Sequence, residues 1–381
     1  MKNHSRRSFN RTLASLTGLA VTGKLASACT ESEAKEPTTA SAKKLGIALV
    51  GLGRYSEYQL APSLQETEHC YLAGIVTGTP EKAKAWKEKY QLPDENIYDY
   101  DNFDRIVGNP AIDIVYVVLP NSMHADFCIR AARAGKHVIC EKPMAVSVEE
   151  CDAIIRACES ADVKLQVGYR LHFEPYTQEV KRMVREKTFG YVRHVSADAA
   201  YYSRGNPEQW RLNRALSGGG ALMNMGVYAI QSAIYSCGHN PTSVSAQEFT
   251  TRPDYFKDTD ETITAQFTFP NGATGNIYTS HNANVNRLFA SCDKGWFELN
   301  PANNYGPLSG RTSEGMEITF EHRRQQALQM DGFARHILFG DKNLAPGKMG
   351  KRDMIIVEAI YQSIREGGKR IELDLGRMGI V

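Results

Sequence analysis

Three things are scarce in this chain of 381 residues, and each scarcity removes a class of function. The eight cysteines, at positions 29, 70, 128, 140, 151, 158, 237 and 292, include no CxxC pair and no spacing suited to zinc. No metal site is expected from them, and most read as buried thiols. Charge of one sign is also missing: the formal balance is +2, whereas binding a phosphate backbone needs a clustered basic excess, so no nucleic-acid partner is expected. Finally, no run approaches the roughly 20 apolar residues of a transmembrane span. The small apolar run near the start is interrupted by Lys24.

What remains is 42% hydrophobic, enough to bury a sizeable core, and the length suggests two domains. The opening, SRRSFNRTLASLTGLAVTGKLASAC, places adjacent arginines before a modest apolar run and reads as a twin-arginine type export signal over residues 1–29. An ordinary amphipathic first helix is the plainer alternative. Cys29 follows Leu25-Ala26-Ser27-Ala28, which leaves two outcomes open: a soluble periplasmic protein, or one lipid-anchored at Cys29. Up to Cys29 the leader holds five bases and no acid, so a processed chain would carry 40 bases against 43 acids. Residues 30–43, TESEAKEPTTASAK, are polar and read as a linker. Free thiols are compatible with export by this route, which carries proteins already folded in the reducing cytosol.

From residue 44 to 168 the pattern is that of a dinucleotide-binding sheet. LGIALVGLGRYSEYQLAPSLQ places a strand (45–50) before a glycine turn and a helix. Gly51 and Gly53 supply the tight turn and close approach around Leu52, and Ser56 takes the position that needs a small side chain. Pyrophosphate would lie at the helix N-terminus. A second strand (71–78) ends in Thr77-Gly78-Thr79-Pro80, with no acid for a ribose 2′-hydroxyl. Arg54, Lys82 and Lys84 stand nearby instead, so NADP is favoured over NAD; the alternative is that these are solvated helix residues. Further strands at 114–119, 137–140 and 164–168 alternate with helical stretches, as in a parallel doubly wound sheet. Ligands on such sheets bind at the carboxyl ends of the strands, where LPNSMH (119–124) and EKP (141–143) fall.

GLGRY, LPNSMHADF, EKP, GYRLHFEPY, WRLNRALSGGG and the helix through Tyr228, in that order, resemble the glucose-fructose oxidoreductase and inositol dehydrogenase family, most closely its glucose-fructose oxidoreductase branch. The resemblance runs from about Leu45 to the end. It implies an α/β protein: an N-terminal Rossmann domain, then a C-terminal α/β domain (169–381) on an open, mainly antiparallel sheet whose outer face serves homo-oligomerisation. It implies hydride transfer between NADP, or NAD, and a sugar or polyol. Independently, runs such as VRHVSADAAYYS, ETITAQFTF and ATGNIYTSH alternate like strands with one covered face. A last helix near 353–366 reads as core and is free to pack back on the Rossmann domain.

Oxidising a hydroxyl needs a hydride acceptor and a base for the proton. The resemblance gives the acid/base role to Tyr228, with Lys142 as the cation that favours its phenolate. A packing role is the bland alternative for Tyr228. It also implies that Tyr55, Pro120, Asn121, His124, Glu141 and Arg170 contact cofactor, and that Trp210 and Arg211 contact substrate; His124 reads equally well as a structural histidine. The family motif has Asp where this chain has Asn224, four residues before Tyr228 and on the same face. An amide keeps hydrogen-bonding reach but cannot take a proton. The arm before the first strand is short, with the single proline Pro37, so permanent cofactor retention does not follow. Two other functions stay open: a glycosidase acting by transient oxidation, which would consume no net cofactor, and a binder without turnover.

Overall fold

β1 (Leu45–Val50) is apolar at every position, and the computed structural model shows why. Its alternate side chains enter two different cores: Ala48 and Val50 face one, Ile47 and Leu49 the other. A strand covered on both faces has no polar side to present. The structure describes residues 43–379; the export leader, Cys29 and the linker as far as residue 42 lie outside the described residues.

Around β1 lie β2 (Cys70–Val76), β3 (Ile97–Tyr98), β4 (Ile114–Val117), β5 (His137–Cys140) and β6 (Leu165–Val167). All pair in parallel, in the order β3-β2-β1-β4-β5-β6. The strands expected from the sequence are present within a few residues; the two-residue edge strand β3 is too short to leave a pattern. The order reverses between β1 and β4, which opens a crevice at their carboxyl ends.

The second sheet has nine strands: β7 (Val192–Ala200), β8 (Ser243–Phe249), β9 (Thr262–Thr268), β10 (Thr274–Ser280), β11 (Val285–Cys292), β12 (Gly295–Leu299), β13 (Gly310–Thr312), β14 (Glu317–Ile318) and β15 (Ile371–Glu372). Their order is β14-β13-β12-β11-β7-β10-β9-β8-β15. Every pairing is antiparallel except β7 with β10. That exception sets Tyr201 beside His281, just past the ends of the two strands, with the Tyr201 amide on the Ser280 carbonyl at 3.0 Å.

The helix Gln325–Phe339 returns to the first sheet, placing Met330, Phe333 and Ala334 against Ile47 and Leu49. The last helix, Gly347–Arg365, starts six residues before the expected position. It ties to the helix Val148–Ser160 through Lys351–Asp152 (2.7 Å) and through the Val148 amide on Glu358 (2.8 Å). Of the seven described cysteines, all free, six are buried, as small apolar side chains would be. Among the described residues no helix is long and apolar enough to cross a membrane.

Candidate active site

A cavity of about 1000 Å³ lies at the carboxyl ends of β1, β4 and β5, and the second sheet closes its far side. One end is the glycine turn. Gly51 has φ +96°, and a Cβ there would stand 2.5 Å from the Val118 carbonyl oxygen, so only glycine fits. A Cβ on Gly53 would meet nothing within 4 Å, which leaves the backbone open to a ligand. Residues 54 to 64 follow as one helical stretch, wound as a π-helix over Ser56–Leu60. Ser56 is fully buried and donates to the Gly51 carbonyl at 2.6 Å, fixing the turn.

Leu52, Arg54, Tyr55, Thr77 and Lys82 all line this end, as does Thr79. The Lys82 ammonium donates to the Leu52 carbonyl at 3.3 Å, and Arg54 is exposed. Lys84 is not part of the wall. Among the described residues Glu141 supplies the wall's one carboxylate. The open backbone at Gly53, the glycine-only turn and two cations that form no ion pair among the described residues fit a dinucleotide whose ribose carries a phosphate.

Pro120, Asn121 and His124 form the middle of the wall. Asn121 donates to the Ser217 carbonyl at 2.8 Å, joining the two halves of the cavity. His124 resolves toward its structural reading. Its Nδ1 lies 2.9 Å from the Pro143 carbonyl and its Nε2 2.9 Å from the Leu119 carbonyl. Burial alone would lower its pKa, but the Cys140 thiol and the two carbonyls outweigh that and hold it above the usual value. The ring braces the loop after β4 against the cis Lys142–Pro143 peptide.

Glu141 is buried and accepts from the Tyr116 hydroxyl at 2.7 Å and from the Lys142 amide at 3.0 Å. Burial raises its pKa despite those donors. Gln329 donates to Tyr116 at 2.8 Å, so the returning helix helps to fix the turn that carries Lys142.

Lys142 Nζ donates to the backbone carbonyl of Asn224 at 2.7 Å, not to its side chain, and sits 4.5 Å from the centre of the Tyr228 ring. Burial draws Lys142 down to about 7; Glu141 opposes this, and Arg211 and Arg170 add to it. Burial raises Tyr228 above the ordinary phenol value. The cation that opposes that rise is Arg170; Lys142, drawn down to about 7, is already uncharged where the phenol titrates.

Arg170 lines the cavity and also fixes part of its wall. Its guanidinium bonds the carbonyls of Asn303 (2.6 Å) and Asn304 (3.0 Å) and the Gln325 side chain, and stacks 4.5 Å from the Tyr305 ring. It thereby holds the 303–306 loop over the cavity, where Asn303, Asn304, Tyr305 and Gly306 join the wall. Trp210 and Arg211 both line the cavity, with the guanidinium 4.4 Å over the indole ring.

Asn224 and Tyr228 both reach the cavity, on a helix that begins as a π-turn (Leu222–Gly226) and continues as Val227–Cys237. The Asn224 amide nitrogen lies 3.1 Å from the Tyr201 hydroxyl and 3.0 Å from His281 Nε2. Burial lowers His281 to about 4, and Arg211, Lys142 and Arg252 add to this against Asp260. The ring is therefore neutral near pH 7.

The glycines before this helix serve packing. A Cβ on Gly219 would stand 2.0 Å from the Tyr361 hydroxyl, and one on Gly220 2.0 Å from the Asp260 carbonyl. The Asp260 carboxylate accepts from the amides of Gly220 (2.7 Å) and Leu222 (2.8 Å) and from Tyr361 (2.7 Å), capping the helix start.

Tyr201, His281, Asp260 and the 303–306 loop stand at the site without being expected from the sequence. Only the loop had a local signal, the run NNYGP between two strands.

A Rossmann sheet that carries Lys142 just past β5, with its crevice facing Tyr228 and Arg211 from the second half of the chain, defines an NAD(P)-dependent oxidoreductase. Residues 45–169 match the family described as "Oxidoreductase family, NAD-binding Rossmann fold", and residues 177–298 match the "GFO/IDH/MocA C-terminal domain". The crystal structure of aldose-aldose oxidoreductase from Caulobacter crescentus, complexed with glycerol, is 42% identical. That match covers 87% of this chain and all of that one, with a TM-score of 0.84. D-xylose 1-dehydrogenase [NADP(+)] of Haloarcula marismortui is 26% identical over 85% of this chain and 92% of that protein. D-glucoside 3-dehydrogenase of Escherichia coli is 24% identical over 86% and 97%. The chain belongs to the GFO/IDH/MocA family.

Proposed function

We propose that this protein is an exported, NADP-preferring sugar oxidoreductase that interconverts a CH–OH group of a monosaccharide or polyol with the carbonyl. The observation that carries this reading is Lys142 and Tyr228 facing one cavity wall, with the dinucleotide cradle at one end and Arg211 at the other. Relatives with aldose, xylose and glucoside activity support the substrate class. Export rests on the leader sequence.

Gly51, Leu52, Gly53, Arg54, Tyr55, Thr77 and Lys82 would hold the dinucleotide, with Pro120 and Asn121 along its length. Bound there, NADP supplies the hydride acceptor. The residues of the chain handle the proton. In the resting pair Tyr228 is a phenol, and Lys142 is a group balanced between ammonium and amine near pH 7. The amine is then the better acceptor, and Tyr228 donates a hydrogen bond to the reacting oxygen. Asn224 orients the substrate with Arg211, while Trp210 offers an apolar face to the sugar ring.

The outer face of the second sheet presents Phe289 and Trp296, 5.8 Å apart, and Glu298 flanked by Arg287 and Arg311. Homo-oligomerisation through this face is part of the proposal.

The test is absorbance near ~340 nm, where reduced nicotinamide absorbs, before and after adding NADP with single aldoses, polyols and sugar pairs. The proposal expects a rise with at least one sugar and NADP. Copurified reduced cofactor that discharges onto a second sugar would make the reaction a coupled one. Release of sugar from aryl glycosides without net absorbance change would overturn the dehydrogenase reading in favour of a glycosidase.

A further inference from the structure

A second cavity, about 740 Å³, lies between the helix Pro175–Glu186, the far side of the helix Val227–Cys237 and the segment around 377–379. It shares no lining residue with the active site. Among the described residues its wall contains six lysines and arginines (Lys181, Arg185, Lys187, Lys342, Arg352 and Arg377) and no carboxylate.

The depth of the cavity makes this more than a solvated basic face. Arg352 is 2% exposed; it is paired with Asp353 and donates to the Gly379 carbonyl at 2.9 Å. His172, 3% exposed, sits beside it, with Nε2 3.0 Å from Gln231 Oε1. Lys181 reaches inward and places Nζ 2.8 Å from His172 Nδ1. Burial, Lys342 and Arg352 lower Lys181 to about 8, and burial and Lys181 keep His172 neutral. Among the described residues Lys181, Lys187, Lys342 and Arg377 form no ion pair. Converging cations without a counter-charge favour an anion between them. Val184, Ile234, Tyr235, Leu344 and Met349 provide an apolar wall next to the charges.

We propose that this cavity is a binding site for a small phosphate monoester, its dianion held by Lys181 and Lys342 beside Arg352 and its organic part on the apolar wall. A dianion suits two uncompensated lysines better than a single carboxylate does. The volume falls in the range of small-molecule sites, roughly 300–1000 Å³.

The test is calorimetric titration of the full chain, with saturating NADP present to occupy the cofactor cradle and chloride matching the ionic strength. Phenyl phosphate, inorganic phosphate and benzoate are the probes. The expected result is saturable binding of phenyl phosphate, tighter than of inorganic phosphate, and weakened about tenfold or more by Lys181→Met, as for loss of one buried charge-assisted contact. The rim variant Lys342→Gln should weaken it several-fold. Any of three results overturns the proposal: no saturable heat with any probe, phenyl phosphate binding unaffected by both substitutions, or its loss in Lys82→Gln instead. Benzoate binding as tightly as phenyl phosphate would overturn the phosphate assignment.

Discussion

The side-chain amide nitrogen of Asn224 lies 3.0 Å from Nε2 of His281, and the histidine is held neutral by burial and three nearby cations. An amide donor suits a neutral ring nitrogen that accepts. An aspartate in its place could not donate, and would make an ion pair only if the ring took up a proton.

Restoring the family's acid should therefore move a proton. In Asn224→Asp the new carboxylate stabilises imidazolium, so His281 should titrate well above about 4, and NMR of the ring protons would follow it. An unchanged histidine titration would show that the amide–imidazole contact does not set its charge. With the native Asn224, His281 contributes stability that is lost as pH falls from the unfolded value near ~6.5 toward about 4, because only the unfolded chain binds the proton there.

Lys142 gives the opposite end of the pH scale. Its folded value is depressed to about 7 against an unfolded value near 10.5, so between these the unfolded chain holds more protons and stability rises with pH. Lys142→Met should flatten that rise in denaturant titrations. In the oxidative direction, activity should increase as pH passes through about 7 and fall by ~10²-fold or more in Lys142→Met. Tyr228→Phe should lower kcat by ~10²-fold while leaving the ascending limb near pH 7. If that limb disappeared with the phenol, Tyr228 itself would be the base.

On the proposed reading, cofactor choice depends on Arg54 and Lys82, which line the cavity where β2 ends in threonine rather than an acid. Arg54→Gln and Lys82→Gln should each weaken NADP binding by ~10-fold and leave NAD binding nearly unchanged, since only NADP carries the 2′-phosphate. Fluorescence titration with each reduced nucleotide measures this. Equal losses for both would place these cations on the pyrophosphate.

Asp260 supports the reactive helix without entering the cavity wall. Asp260→Ala strands two backbone amides and the Tyr361 hydroxyl, at a cost of about 2–4 kcal/mol in urea unfolding. Tyr361→Phe should cost about 1 kcal/mol and leave KM for the sugar unchanged.

Sheet membership and the cofactor cradle were legible in the sequence because they depend on local order. A strand, a glycine turn and a helix occupy some twenty consecutive residues, and an all-apolar strand such as LGIALV declares that both its faces are covered. The roles inside the site were less legible. His124 could be read as ligand or brace until its two carbonyl partners were seen, one of them nineteen residues away. Arg170 carried the mark of a ligand contact, and its bonds to residues more than 130 positions downstream made it the anchor of a loop.

By itself the sequence determined the family's fold, the glycine cradle and the presence of Lys142, Asn224 and Tyr228 along one chain. Only the tertiary structure decided what surrounds them. The parallel pairing of β7 and β10 brings Tyr201 and His281, eighty residues apart, into ring contact at 4.8 Å behind Asn224. Burial then sets the protonation of lysine, tyrosine and histidine, and burial depends on what packs nearby in space, which residue spacing does not encode.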